Sequence, residues 1–152
     1  MAAARVAFVD WSQTSVGERA EYLRRIRDGL AKRQDEIAET ISTEMGCPLR
    51  TATKIQAALP QTVVGAYADL VESYEFDSRV GNTIVAREAA GVVGAITPWN
   101  YPLHQITCKL APVLAAGCTF VLKPSEVSPL VAYLLFEVLH EAGLPAGVVN
   151  LV

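Results

Sequence analysis

The run Thr97-Pro98-Trp99-Asn100-Tyr101-Pro102 has the residue types best suited to chemistry. Its prolines fix φ and lower the entropy of holding a neighbouring side chain in place. Between them sits one asparagine, and a fixed side-chain amide can donate to a developing oxyanion. The same residue in a stiff turn can equally cap the next helix, and the residues alone leave both readings open. A second polar group is Lys123-Pro124-Ser125-Glu126. A lysine and an acid leaving one strand edge can bond ribose hydroxyls, and the lysine can also meet a phosphate. The plainer alternative is a solvated pair at a helix start, where the macrodipole favours the acid. His104 and His140 have no ligands at metal spacing, so no metal site is expected. G-x-G-x-x-G, a P-loop, H-E-x-x-H and CxxC are all absent.

These groups need elements to position them. Ser15 to Glu18 reads as a capping box, and Tyr22, Ile26, Leu30, Ile37, Ile41 and Met45 keep one helical face up to a stop at Gly46. Glu21 with Arg25, and Asp28 with Lys32, are i,i+4 ion pairs on the wet side. A second helical stretch, about Leu49 to Tyr74, contains Pro60, which should kink or split it. Glu75 to Asp77 and Thr83 to Arg87 alternate apolar with polar about Gly81-Asn82, the pattern of a β-hairpin. Val92 to Ile96 is a short apolar run, as in a strand buried on both faces. A loop, a helix from Leu103 to Ala116 with Pro112 inside it, and a second strand from Cys118 to Leu122 follow. Ser128 reads as the cap, with Pro129 first, of a helix to Ala142; a third strand begins at Val148.

The expected fold class is therefore α/β: a helical segment over 1–74, a hairpin over 75–90, and a β-α-β-α-β unit over 91–152, half of a doubly wound, Rossmann-like parallel sheet. Ending inside a strand that no helix covers suggests a fragment. The chain has 152 residues, 51% apolar and 19% charged, enough for a real core. Its mean hydropathy of +0.28 is high for its size and points to apolar surface that expects a partner. A net charge of -3 without a long basic run argues against nucleic acid. No apolar run is long enough to span a membrane, and the first ten residues lack a signal peptide's apolar region. Three cysteines without metal spacing fit a reducing, cytoplasmic setting; Cys108 and Cys118 read as small packing residues.

In order along the chain stand Gly91-Val92-Val93-Gly94-Ala95-Ile96 with the Thr97–Pro102 turn, Lys109-Leu110-Ala111-Pro112, Leu114-Ala115-Ala116-Gly117-Cys118, Leu122-Lys123-Pro124-Ser125-Glu126, and Glu141-Ala142-Gly143-Leu144-Pro145-Ala146-Gly147-Val148-Val149-Asn150. This ordered set resembles the aldehyde dehydrogenase superfamily, and the likeness extends upstream through Trp11, Arg19, Leu23 to Ile26 and Glu44-Met45-Gly46. The resemblance implies that the chain is a partial NAD-binding domain, an incomplete aldehyde dehydrogenase fold. It implies that Asn100 supports the oxyanion of the thiohemiacetal, and that Lys123 and Glu126 bind the adenosine ribose. Ile96, Thr97, Pro98 and Trp99 would line the cofactor cleft, Tyr101 and His104 the substrate tunnel, and Lys109 would lie near the catalytic centre. The acid at Glu126 favours NAD, with NADP possible. The hairpin resembles the family's oligomerisation strands, so an intact homologue is expected to be a homo-oligomer acting on a small-molecule aldehyde.

The family's opening strands, its later glycine motif, its general-base glutamate and its nucleophilic cysteine have no counterpart in these residues. Two further readings follow beside that of an enzyme oxidising an aldehyde by thiolate attack, hydride transfer and thioester hydrolysis. One is a truncated, catalytically inactive remnant. The other is a free-standing nucleotide-binding half-domain.

Overall fold

Residues 92–151 build a parallel sheet in the computed structural model, which describes residues 1–152. β3 (Val92–Ile96) pairs with β4 (Thr119–Lys123), and β4 pairs with β5 (Val149–Leu151), giving the order β3-β4-β5. The crossovers are α6 (Pro102–Ala115) and α7 (Leu130–Glu141). Right-handed crossovers, the rule between successive parallel neighbours, put both helices on one face, and α6 packs against α7. The other face of β4 is met by α1 (Ala2–Trp11), where the Thr119 hydroxyl donates to the Ala4 carbonyl at 3.0 Å. Phe120, Val121 and Leu122 are consequently all buried, as an unbroken apolar run predicts; β3, read in the same way, is buried only at Ala95, because it is an edge strand of the sheet. α1 was not marked by the apolar pattern: its core contribution is only Ala4 and Trp11, with Val6 and Val9 exposed.

The long helical face before Gly46 divides in two. α2 (Val16–Lys32) carries the Ser15–Glu18 capping box, and α3 (Gln34–Met45) ends at Gly46 with φ +72°. The break is at Arg33, whose guanidinium bonds Glu36 and reaches Glu137 of α7 at 2.6 Å. Ile26, Leu30, Ile37 and Ile41 are buried on both sides of the break, while Tyr22 and Met45 sit at the core's edge. Glu21 and Arg25 pair at 3.0 Å, but Asp28 pairs with Arg27 rather than Lys32.

The next helical stretch splits upstream of Pro60. α4 (Leu49–Thr51) runs into a π-helical turn, Ala52–Gln56, before α5 (Ala58–Ser73). Pro60 lies in the first turn of α5, where backbone N–H groups have no intrahelical partner, so its missing donor costs nothing. α5 lies along α2, tied by Arg24 to Glu72. β1 (Asp77–Val80) and β2 (Thr83–Ala86) pair antiparallel about Gly81-Asn82, with Gly81 at φ +61°. The first hairpin strand thus starts two residues later than its alternation suggested.

Ser128 does not cap α7. Its hydroxyl is buried without a protein partner. Instead the Glu44 carboxylate, from α3, accepts the Leu130 and Val131 N–H groups at 2.7 and 3.3 Å. A distant acid thereby satisfies the orphan donors at this helix start and faces the positive end of its dipole.

Candidate active site and cofactor surface

Parallel strands aim their C-terminal ends at one edge, where open α/β sheets hold ligands. Register sets Ile96 beside Lys123 at that edge, and the Thr97 N–H extends the ladder to the Lys123 carbonyl at 3.2 Å. Ile96 is 78% exposed and Trp99 50%, large values for apolar side chains at a strand end. Thr97 is buried and anchors the turn from below; Pro98 is exposed.

Lys123 donates to Glu126 at 2.8 Å with both side chains largely in solvent. The Lys123 bond, helped by the main-chain N–H of Glu126 itself, holds the Glu126 carboxyl below its usual range. Exposed Val127 adds to the apolar surface around this pair. A carboxylate that accepts, an ammonium that donates and flanking apolar groups suit a ribose diol with an aromatic base beside it.

Asn100 is exposed, and its side-chain amide has no partner within the chain. It does not cap α6: Tyr101 is the N-cap, without a side-chain bond, and Pro102 opens the helix. The capping alternative for Asn100 is therefore excluded in this structure. The residue is held through its backbone instead. The Gln56 amide lies 3.5 Å from the Asn100 carbonyl, and also near the Cys47 and Met45 sulfurs. Gln56 is buried and ends the π-helical turn; π-helical turns recur at functional sites. Nothing in the sequence marked Gln56, because a lone polar residue in a helical run carries no motif.

Tyr101 and His104 meet edge to face with ring centroids 6.4 Å apart. One helical turn on, the Cys108 sulfur sits 3.4–3.5 Å from the His104 ring nitrogens. Burial, then Lys109, pushes His104 below its ordinary pKa, and burial pushes the Cys108 thiol up. A thiol held neutral is a poor nucleophile. Lys109 folds back on Gln105, donating to its carbonyl at 3.2 Å. Cys118 is buried beside β4, and the half-buried Cys47 sulfur lies 3.7 Å from the Gln56 amide. No group of His, Cys, Asp and Glu side chains could hold a metal ion.

The aldehyde dehydrogenase family model matches residues 1–152, the whole chain. The chain belongs to the aldehyde dehydrogenase family. Among curated family members, it is 49% identical to 3-succinoylsemialdehyde-pyridine dehydrogenase of a Pseudomonas species, matching 99% of this chain and 32% of that one. Among solved structures, it superposes with TM-score 0.98 and 50% identity on a cysteine-to-alanine variant of aldehyde dehydrogenase C from Pseudomonas syringae in complex with NAD+ and octanal, covering 99% of this chain and 31% of that one. Betaine aldehyde dehydrogenase from Staphylococcus aureus, in complex with NAD+, follows at TM-score 0.94 and 34% identity, with 99% of this chain and 32% of that one covered. The chain thus spans about a third of the length of these aldehyde dehydrogenases. Family members use NAD(P) to oxidise aldehydes. No helix in the chain is long and apolar enough to cross a membrane.

Proposed function

We propose that this chain supplies the oxyanion donor and the adenosine-side cofactor contacts for NAD(P)-dependent oxidation of an aldehyde to a carboxylic acid. The observation that carries the reading is Asn100: an exposed amide without an internal partner, at a strand's C-terminal end, on a loop stiffened by two prolines and held by Gln56. The amide N–H donates to the oxygen of the attacked carbonyl as negative charge grows there. Glu126 accepts the ribose hydroxyls and Lys123 orients them, while Ile96 and Trp99 cover the base. When bound, NAD(P) supplies the hydride acceptor. The ionised Glu126 suits a free 2′-hydroxyl and opposes a 2′-phosphate, which favours NAD. Tyr101 and His104 line the approach of the aldehyde, and Lys109 lies behind them. In an assembled enzyme the hairpin contributes to a homo-oligomer.

Burial pushes the Cys108 thiol up and Cys118 lies in the core, which supports the expectation that residues 1–152 neither oxidise aldehydes by themselves nor bind NAD at modest concentration. This favours the reading of a truncated, catalytically inactive remnant for the separate polypeptide. The test is a chimera in which this chain replaces the matching third of the Pseudomonas syringae aldehyde dehydrogenase C. The chimera is expected to reduce NAD with octanal, and Asn100→Ala to lower its kcat about 100- to 1,000-fold, the loss of one oxyanion donor. Glu126→Gln is expected to raise KM for NAD and leave kcat nearly unchanged. An Asn100→Ala chimera with full kcat would refute the assignment, and turnover by residues 1–152 alone would refute the inactive-remnant reading.

A further inference from the structure

At the opposite end of the sheet lies a charge that the proposed chemistry does not use. Arg19, on α2, is the one charged residue in the buried core, 7% exposed. It forms no ion pair with any carboxylate, its guanidinium donates no hydrogen bond to the protein, and its Nε is enclosed without an acceptor. Proteins rarely bury a charge that is neither paired nor hydrogen-bonded. The position is nonetheless built. The guanidinium carbon stacks 5.3 Å from the Phe76 ring centroid, and Nη1 rests against Gly117, where any Cβ would collide with it. Burial also pulls the Arg19 pKa below its ordinary value.

Arg19 lines an open cavity of about 550 Å³ between α1, α2 and the segment following the hairpin. That volume is in the range of small-ligand pockets, about 300–1,000 Å³. Arg87 adds a second cation; its Nη1 is engaged by the Glu75 carbonyl and Ser78 hydroxyl, leaving Nε and Nη2 free. The Gln13 amide also lines the cavity. Glu88 is the one acid there, exposed and beyond ion-pair distance of Arg19. Ala89 and Ala116, which precede β3 and β4, place the cavity at the strands' N-terminal ends, away from Asn100 and Lys123. Two planar guanidinium groups among the residues lining one cavity suit a planar acceptor with two oxygens.

We propose that the Arg19 cavity is a carboxylate-binding site, distinct from the nucleotide surface. The carboxylate comes either from a small free acid or from an aspartate or glutamate side chain of a polypeptide segment. The test follows the Arg19 Nε–Hε resonance and the melting temperature of the 152-residue protein during titration with sodium acetate, against sodium chloride at equal ionic strength. Acetate is expected to shift the resonance saturably and raise the melting temperature; chloride is expected to do neither. Arg19→Lys, which keeps the charge but loses the fork, is expected to abolish the acetate-specific response. Glu88→Gln is expected to tighten acetate binding about two- to five-fold, the effect of one solvent-screened like charge. A blocked acetyl-Gly-Asp-Gly-amide peptide distinguishes the sources: binding tighter than acetate assigns the site to a polypeptide carboxylate, weaker binding to a free acid. An Arg19 resonance that responds equally to acetate and chloride overturns the proposal. So does a Glu88→Gln protein that is less stable and binds acetate no better, because Arg19 is then paired with Glu88 inside the chain.

Discussion

Asn100 and His104 stand four residues apart yet are governed by different physics. Asn100 works by exposure and by a fixed backbone. His104 is set by its neighbours, with burial first and Lys109 second disfavouring its charged form. A histidine whose folded pKa lies below its unfolded value binds protons more readily when unfolded. Stability is therefore fully present above the ordinary value of 6.5 and declines as pH falls from there toward the folded pKa. An NMR titration of His104 is expected to show a midpoint below 6.5, and His104→Gln is expected to flatten the decline in melting temperature over that window. Gly117 is constrained twice, by φ +77° and by the Arg19 guanidinium against it. Gly117→Ala is expected to cost at least about 1–2 kcal/mol for the left-handed backbone alone, read as a lower melting temperature, with the Arg19 contact adding to it.

At the scale of elements, helix ends show what local sequence can and cannot specify. The Ser15–Glu18 capping box closes within four residues, so it is legible in the sequence and present in the structure. The start of α7 has a plausible local cap, Ser128, but uses Glu44, more than eighty residues away. Glu44→Ala is expected to destabilise the protein by about 0.5–2 kcal/mol, the range for losing a helix cap. Glu44→Gln, which keeps an acceptor but loses the charge facing the dipole, should cost less. Equal losses for both variants would show that the charge, not the hydrogen bond, holds this helix start. The break at Arg33 has the same origin. Spacings of four and seven continue through it without interruption, and only the folded chain shows the Arg33 guanidinium reaching Glu137 of α7 at this break.

Taken whole, the molecule leaves apolar surface in solvent. β3 and β5 have no strand on their outer sides. Ile96 at the sheet's end, Leu130 and Tyr133 on α7, and Val80 and Ile84 on the hairpin are exposed. Unpaired edges and apolar patches of this kind promote association. Purified residues 1–152 are expected to bind a hydrophobic dye and to sediment with a concentration-dependent mass. Ile84→Lys on the hairpin should reduce that association without lowering the melting temperature, since Ile84 is 71% exposed. A monodisperse monomer without dye binding would contradict this.

The sequence by itself determined the three strands of the parallel sheet to within a residue, their parallel crossovers, the turn of the hairpin at Gly81-Asn82 and the ordered motifs that mark the aldehyde dehydrogenase family. Each of these is written in a short window, through apolar period, turn chemistry or a contiguous motif. The edge-on neighbourhood of Ile96, Lys123 and Glu126 was legible for the same reason, because strand ends announce themselves. Tertiary structure alone decided which groups support that edge: Gln56 beneath Asn100, Glu44 at the head of α7, and Arg19 enclosed between α2, Phe76 and Gly117. A side chain that acts on a residue dozens of positions away leaves no periodic trace, because its effect depends on a distance that only the folded chain creates.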